Sequence, residues 1–153
     1  MKFVKYLLII IWMILIFYFS NQPANNSSKQ SKGIIIKGIT TVTKIVNKNI
    51  SNQELNKIIY IVEKPVRKAA HIFLYFVLAI LVTWLLKSYN LTYNQIFLYS
   101  ILICVLYSCS DEIHQLFISG RSGSIVDVFI DNLGSYLGIF IINKRLKLPT
   151  YKL

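Results

Sequence analysis

Four long apolar runs divide the chain, each followed by a switch to polar and charged residues. They extend over about Phe3 to Phe19, Ala69 to Leu86, Tyr93 to Cys109 and Ile125 to Ile142. Each is close to the roughly 17 to 25 residues that cross a hydrocarbon core as a helix. Lipid supplies no water to an open backbone, so a spanning segment must satisfy its own peptide groups, which a helix does. The first run starts near Lys2 and Lys5, as a signal peptide would. It ends, however, in bulky Ile16, Phe17, Tyr18 and Phe19, and the following SNQPANNSS lacks a small-x-small cleavage pattern, so the run reads as a retained span.

Between the first two spans the pattern changes twice. Ser20 to Lys32, rich in Ser, Asn and Gln, reads as a loop. Ile35, Ile39, Val42 and Val46 then recur at helical spacing, with Lys37, Lys44 and Lys48 for the wet side. Two readings stay open: an amphipathic helix lying on the membrane surface, or a soluble helical hairpin above it. Ser51 and Glu54 have the spacing of a capping box ahead of Leu55, Ile58, Ile59 and Val62. Glu63-Lys64-Pro65 predicts a break before the second span, because proline disfavours helix at the preceding residue. A short link, Lys87 to Thr92, makes the second and third spans antiparallel neighbours. The pattern as a whole predicts an all-α, polytopic membrane protein: one domain over residues 1–153, about four transmembrane helices, and an amphipathic helical loop over 20–66. At 153 residues this leaves no room for a separate soluble enzyme module.

Charge adds orientation. Seventeen Lys and Arg against six Asp and Glu give a formal charge of +11. A basic membrane protein is drawn to anionic lipid, worth up to ~1 kcal/mol per residue near the surface. No basic patch with interleaved aromatics and no Gly-rich phosphate loop points to nucleic acid. Lys2, Lys5, Lys87, Lys144, Arg145, Lys147 and Lys152 favour cytoplasmic N- and C-termini, with the long loop outside. Cys104 and Cys109 lack CxxC spacing and read as packing thiols.

Chemistry is concentrated in one segment, Ser110 to Gly138. Of the six acidic residues it holds Asp111, Glu112, Asp127 and Asp131, together with His114 and Arg121. Alternating spans place the end of the first, the start of the second, the end of the third and the start of the fourth on one membrane face. Ser20, Gln22, Arg67 and His71 therefore converge on that segment. Asp127 and Asp131 are one turn apart, and Gly134 and Gly138 continue their face as a small-xxx-small groove. Arg67, His71 and Tyr75 share a face of the second span. Tyr107, Asp111 and His114 share one of the third if its helix continues past Cys109. An aspartate near the bilayer centre costs about 2.5 to 3.5 kcal/mol on insertion scales, so these carboxylates should face protein, water or a cation.

Three readings of the constellation stay open. Asp111, Asp127, Asp131 and His114 have the oxygen and nitrogen donors of a divalent metal site. Alternatively His71 or His114, with Asp111 and Glu112, performs acid–base work on a phosphate gripped by Arg67 and Arg121. In the third, Asp127 and Asp131 pair with Arg67 or Arg121 and lock the helices. Serines near His114 form no G-x-S-x-G elbow, which argues against a serine nucleophile.

Three blocks, IFYFSNQPANNSSKQS, RKAAHIFLYFVLA and YSCSDEIHQLFISGRSGSIVDVFIDNLGSYLG, resemble the successive signatures of the VanZ-like family of bacterial membrane proteins. The resemblance implies a multi-pass protein of the bacterial cytoplasmic membrane with an envelope role, since the founding member is linked to low-level resistance to teicoplanin, an acylated glycopeptide. It singles out Ser20, Gln22, Arg67, Gln115 and Arg121 as ligand-binding candidates, and His71, Asp111, Glu112, His114, Asp127 and Asp131 as catalytic or metal candidates. The partners it implies are membrane lipids, lipid-linked cell-wall precursors or a lipoglycopeptide. Gly123-x-x-x-Asp127-x-x-x-Asp131 is also similar to the second half of the motif of CDP-alcohol phosphotransferases, whose first half is absent here. That likeness keeps a second function in view, a metal-dependent hydrolase or phosphotransferase acting on a lipid-linked phosphate.

Overall fold

The computed structural model describes residues 2–47 and 50–145, and these form five α-helices without a strand. They are α1 Lys2–Ser20, α2 Ala24–Ile45, α3 Asn52–Leu86, α4 Tyr93–Gln115 and α5 Ile125–Arg145. All but α2 are long and apolar enough to cross a membrane. Large apolar side chains such as Ile14, Phe73, Leu106, Phe129 and Phe140 point outward, as a bilayer requires. Lys48 and the basic tail with Lys147 and Lys152 lie outside the described residues.

The long helix α3 touches each of the other four and packs most extensively against α5. The core lies along it, with Tyr75, Leu78, Ala79 and Val82 meeting Ile16 of α1, Cys104 of α4 and Ile139 of α5. The α3–α5 approach is close because α5 carries glycine where the backbones meet. Side chains at Gly134 and Gly138 would run into the carbonyl oxygens of Ile72 and Phe76. Polar bonds add to the packing: Thr83 donates to Ser100 at 2.9 Å and Asn132 to Ser108 at 2.8 Å, each between neighbouring helices.

Two expectations change and one open reading is decided. The predicted loop Ser20 to Lys32 shrinks to a short turn, because Pro23 starts α2 and Ser27 and Ser31 are buried on the same stripe as Ile35. α2 packs against α3, so the described arrangement is the hairpin, with Lys32 and Glu63 3.7 Å apart across it. Finally, Pro65 does not break the chain. Its ring removes one helix hydrogen bond, but Ile61, four residues earlier, whose carbonyl is freed, is exposed, and water can satisfy it. The capping box forms as expected, Glu54 N–H donating to Ser51 Oγ at 3.2 Å while Ser51 N–H donates to Glu54 Oε2 at 3.0 Å. At 35 residues α3 is about 52 Å long, so its first part projects beyond a hydrocarbon core of ~30 Å. The α2–α3 hairpin therefore stands at one end of the spans.

Candidate functional site

The site is assembled at the base of that hairpin, where α1 and α4 end and α5 begins. Arg121 joins these termini. Its Nε donates to the carbonyl of Gln22 at 2.9 Å, Nη2 to that of Phe19 at 3.1 Å and Nη1 to Oε1 of Gln115 at 3.2 Å. The last carbonyls of a helix lack partners of their own, and a guanidinium suits their negative end. Burial and the neighbouring Arg67 draw the Arg121 guanidinium below its ordinary pKa, while Asp111 and Glu112 push it back up.

The turn between α4 and α5 needs unusual backbone. Gly120 has φ +73°, the left-handed region that glycine adopts without a Cβ clash. The carbonyl of Ser119 accepts from Ala24 N–H at 3.2 Å, tying the turn to the start of α2. Glu112 fixes the other side, with Oε2 accepting from Ser124 N–H at 2.9 Å. Ser124 in turn caps α5 through Val126 N–H at 3.2 Å.

Inside this frame is a cavity of about 110 Å³. Of the ligand-binding candidates, Arg67, Gln115 and Arg121 line it; of the catalytic and metal candidates, His71, Glu112, Asp127 and Asp131 do. Asp111 lies just behind, buried, with Oδ2 accepting from Ser20 Oγ at 2.8 Å and Gln115 Nε2 at 3.2 Å. Ser20 thus reaches the cavity's floor through Asp111, and Gln22 contributes its carbonyl to Arg121 instead of its side chain. His114 is placed apart: its ring stacks on Phe17 at 4.6 Å between centroids, and its Nε2 is 3.2 Å from Asn21 Oδ1. Helix α4 does continue past Cys109, and Tyr107, Asp111 and His114 share a face, but that face meets α1.

Pairing of the carboxylates differs from the arginine lock. Asp127 meets Lys68 at 2.5 Å, and Asp131 Oδ1 lies 3.7 Å from His71 Nδ1. Lys68, also in the cavity wall, is the residue sequence reasoning passed over. Its signal was present, since it stands three residues before His71 and so shares that helix face. Arg67, half-buried in the same wall, makes no side-chain hydrogen bond or ion pair among the described residues.

One ligand-capable atom each from His71, Asp111 and Asp131 lie within 4.8 Å of one another. Asp111 Oδ1 and Asp131 Oδ2 are buried without a hydrogen-bond partner, as is the Tyr75 hydroxyl one turn further along α3. The arrangement can therefore hold an anion against Arg67 and a cation between the buried carboxylates.

The family model described as VanZ/LLP1 matches residues 4–147. No curated protein and no solved structure matches the chain.

Proposed function

The chain belongs to the VanZ/LLP1 family, and on that premise we propose that it binds the anionic headgroup of a lipid or other amphiphile at the outer leaflet of the bacterial cytoplasmic membrane. The observation that carries this reading is Arg67, a guanidinium in the cavity wall whose donors have no partner among the described residues. Its planar fork matches the oxygens of a phosphate or carboxylate, and partial burial strengthens the attraction. A cavity of about 110 Å³ suits a headgroup and not a whole amphiphile, whose chain would stay in the bilayer. The lysines near both termini and in the short link favour a cytoplasmic side there, and on that reading the cavity faces outside, where lipid-linked cell-wall precursors and acylated glycopeptides are met. In the cell, such binding would lower susceptibility to teicoplanin.

The test is direct binding by purified protein in nanodiscs. A short-chain polyprenyl phosphate should bind, and the corresponding alcohol at least tenfold more weakly. Arg67→Gln should remove that preference and fail to restore teicoplanin tolerance to a deletion strain. Equal affinity for phosphate and alcohol in the wild type would sink the reading. A cysteine at exposed Asn25 should react with an impermeant thiol reagent on intact cells beyond the parent's background; reaction only after lysis would put the site inside.

A second reading, a metal-dependent hydrolase or phosphotransferase acting on a lipid-linked phosphate, is favoured by the approach of His71, Asp111 and Asp131. Analysis of the same incubations by mass distinguishes it, because turnover leaves a product and binding does not.

A further inference from the structure

We propose that His71, Asp111 and Asp131 form a binding site for a first-row divalent cation, Zn²⁺ or Mn²⁺, at the floor of the cavity. Three helices supply the ligands, α3, α4 and α5, so the site closes only when the bundle is assembled. Their ligand-capable atoms lie within 4.8 Å of one another. A tetrahedral ion with bonds of ~2.1 Å sets its ligands roughly 3.4 Å apart, so side-chain rotation of about an ångström completes the set.

Independent support comes from atoms without partners. Asp111 is 4% and Asp131 1% exposed, yet Asp111 Oδ1 and Asp131 Oδ2 accept no hydrogen bond. Buried polar atoms are rarely left so, and a buried carboxylate without a counter-charge is especially costly. Among the described residues the nearby cations do not supply that counter-charge, and Arg67 makes no ion pair. Lys68 pairs with Asp127, and Arg121 spends its donors on Gln22, Phe19 and Gln115. Among the described residues Asp111 has no ion pair, and Asp131 has only His71 at 3.7 Å, beyond hydrogen-bond length. A divalent ion between the two carboxylates supplies the counter-charge that both lack.

The donor set selects the ion. One imidazole nitrogen with two carboxylate oxygens suits Zn²⁺ or Mn²⁺, whereas Ca²⁺ and Mg²⁺ favour all-oxygen surroundings. Ser20 and Gln115, donating to Asp111 Oδ2, hold that carboxylate and leave Oδ1 for the ion. Such outer partners orient metal ligands elsewhere. Three protein ligands also leave coordination positions open toward the cavity. That an anionic headgroup takes one of them rests on the headgroup reading; the cation site itself does not.

The experiment uses the metal alone. Purified, tag-free protein in detergent is dialysed against Zn²⁺ and analysed for bound metal, with Mn²⁺ binding followed by its electron paramagnetic resonance. One equivalent should bind, and Zn²⁺ should displace Mn²⁺. His71→Gln and Asp131→Asn should each weaken binding at least 100-fold, while His114→Gln, which alters the other histidine, should bind as the wild type does. Variants that misfold are bypassed by the wild type's own melting temperature, which Zn²⁺ at 100-fold excess over its dissociation constant should raise by several degrees. Absence of stoichiometric binding, absence of a thermal shift, or equal loss in His114→Gln would overturn the site. If metal binds but the polyprenyl phosphate does not, the cation site stands and the headgroup reading falls.

Discussion

At the end of the bundle where α1 begins and α3 and α5 finish, Lys2, Lys5 and Lys87 each meet a partner, and Lys144 is exposed. Lys5 Nζ donates to the carbonyl of Trp84 at 2.9 Å and to Ser88 Oγ at 2.6 Å, and it lies 4.3 Å from the centre of the Trp84 ring. Lys87 donates to the carbonyl of Ile142 at 3.1 Å, and Lys2 sits over the ring of Tyr89. The opposite end, where α1 and α4 finish and α5 begins, also carries charge, but there the match is incomplete. Arg67 has no bonded partner among the described residues, and Asp111 and Asp131 each bury an unmatched oxygen. Charge at the first end holds helices in place. At the second end it is left over from holding them, which is the pattern expected where a protein keeps groups for a ligand at some cost to stability.

The two ends share one seam, and removing it should have the largest effect. At Gly134 any side chain meets the backbone carbonyl of Ile72, which cannot rotate away. Overpacking usually costs ~1 to 3 kcal/mol, and more when backbone must shift. Gly134→Leu should therefore lose more than about 3 kcal/mol, read as failure to give a monodisperse folded protein in detergent, together with loss of both metal and headgroup binding. Gly33→Ala, in open space inside α2, should raise stability by about 0.5 to 1 kcal/mol, the helix-propensity gain of alanine over glycine, and leave binding unchanged. Normal folding of Gly134→Leu would mean that the α3–α5 contact does not set the site.

The next effect tests the contrast itself, because its sign should differ between the ends. In metal-free protein, Asp131→Asn removes an ionisable carboxyl whose Oδ2 has no partner, while keeping the side chain's shape. Stability should rise by at least about 1 kcal/mol, because a carboxyl buried without a counter-charge must either desolvate its charge or take up a proton on folding, a cost the amide avoids. With saturating Zn²⁺ the order should reverse, since only the wild type gains binding energy. Thermal melts with and without chelator check both halves. A variant less stable than the metal-free wild type would show that Asp131 is already satisfied by the protein.

Much of this contrast was legible in the sequence, for a physical reason. Alternating spans fix which helix ends meet, so Ser20, Arg67, His71, Asp111 and Asp131 could be brought together by direction alone, and helical spacing put Asp127, Asp131, Gly134 and Gly138 on one face. What spacing does not carry is the rotation of one helix against another. Tyr107, Asp111 and His114 share a face of α4, but α1 covers it and takes His114 onto Phe17. The same gap hid Lys68, whose pairing with Asp127 depends on how α3 and α5 are turned. The hairpin was obscured differently. The start of its first helix is polar enough to read as loop, because its buried stripe begins with Ser27 and Ser31, and only contact with α3 reveals small side chains as packing residues.

The smallest effect should come from the matched end, and it should be a loss. Lys5→Met keeps much of the side chain's length and apolar stem but deletes the ammonium shared by the Trp84 carbonyl, Ser88 Oγ and the Trp84 ring. A charged hydrogen bond and an exposed cation–π contact each contribute on the order of 1 kcal/mol, and methionine recovers part of the packing against tryptophan. The net loss should be about 1 kcal/mol, the same with or without Zn²⁺, and headgroup binding should be untouched because the change lies at the far end of the spans. Thermal melts and phosphate-lipid titrations of the variant check each part. If Lys5→Met instead stabilised the protein as Asp131→Asn is expected to, both ends would hold uncompensated charge, and the mismatch at the cavity would no longer mark it as the site.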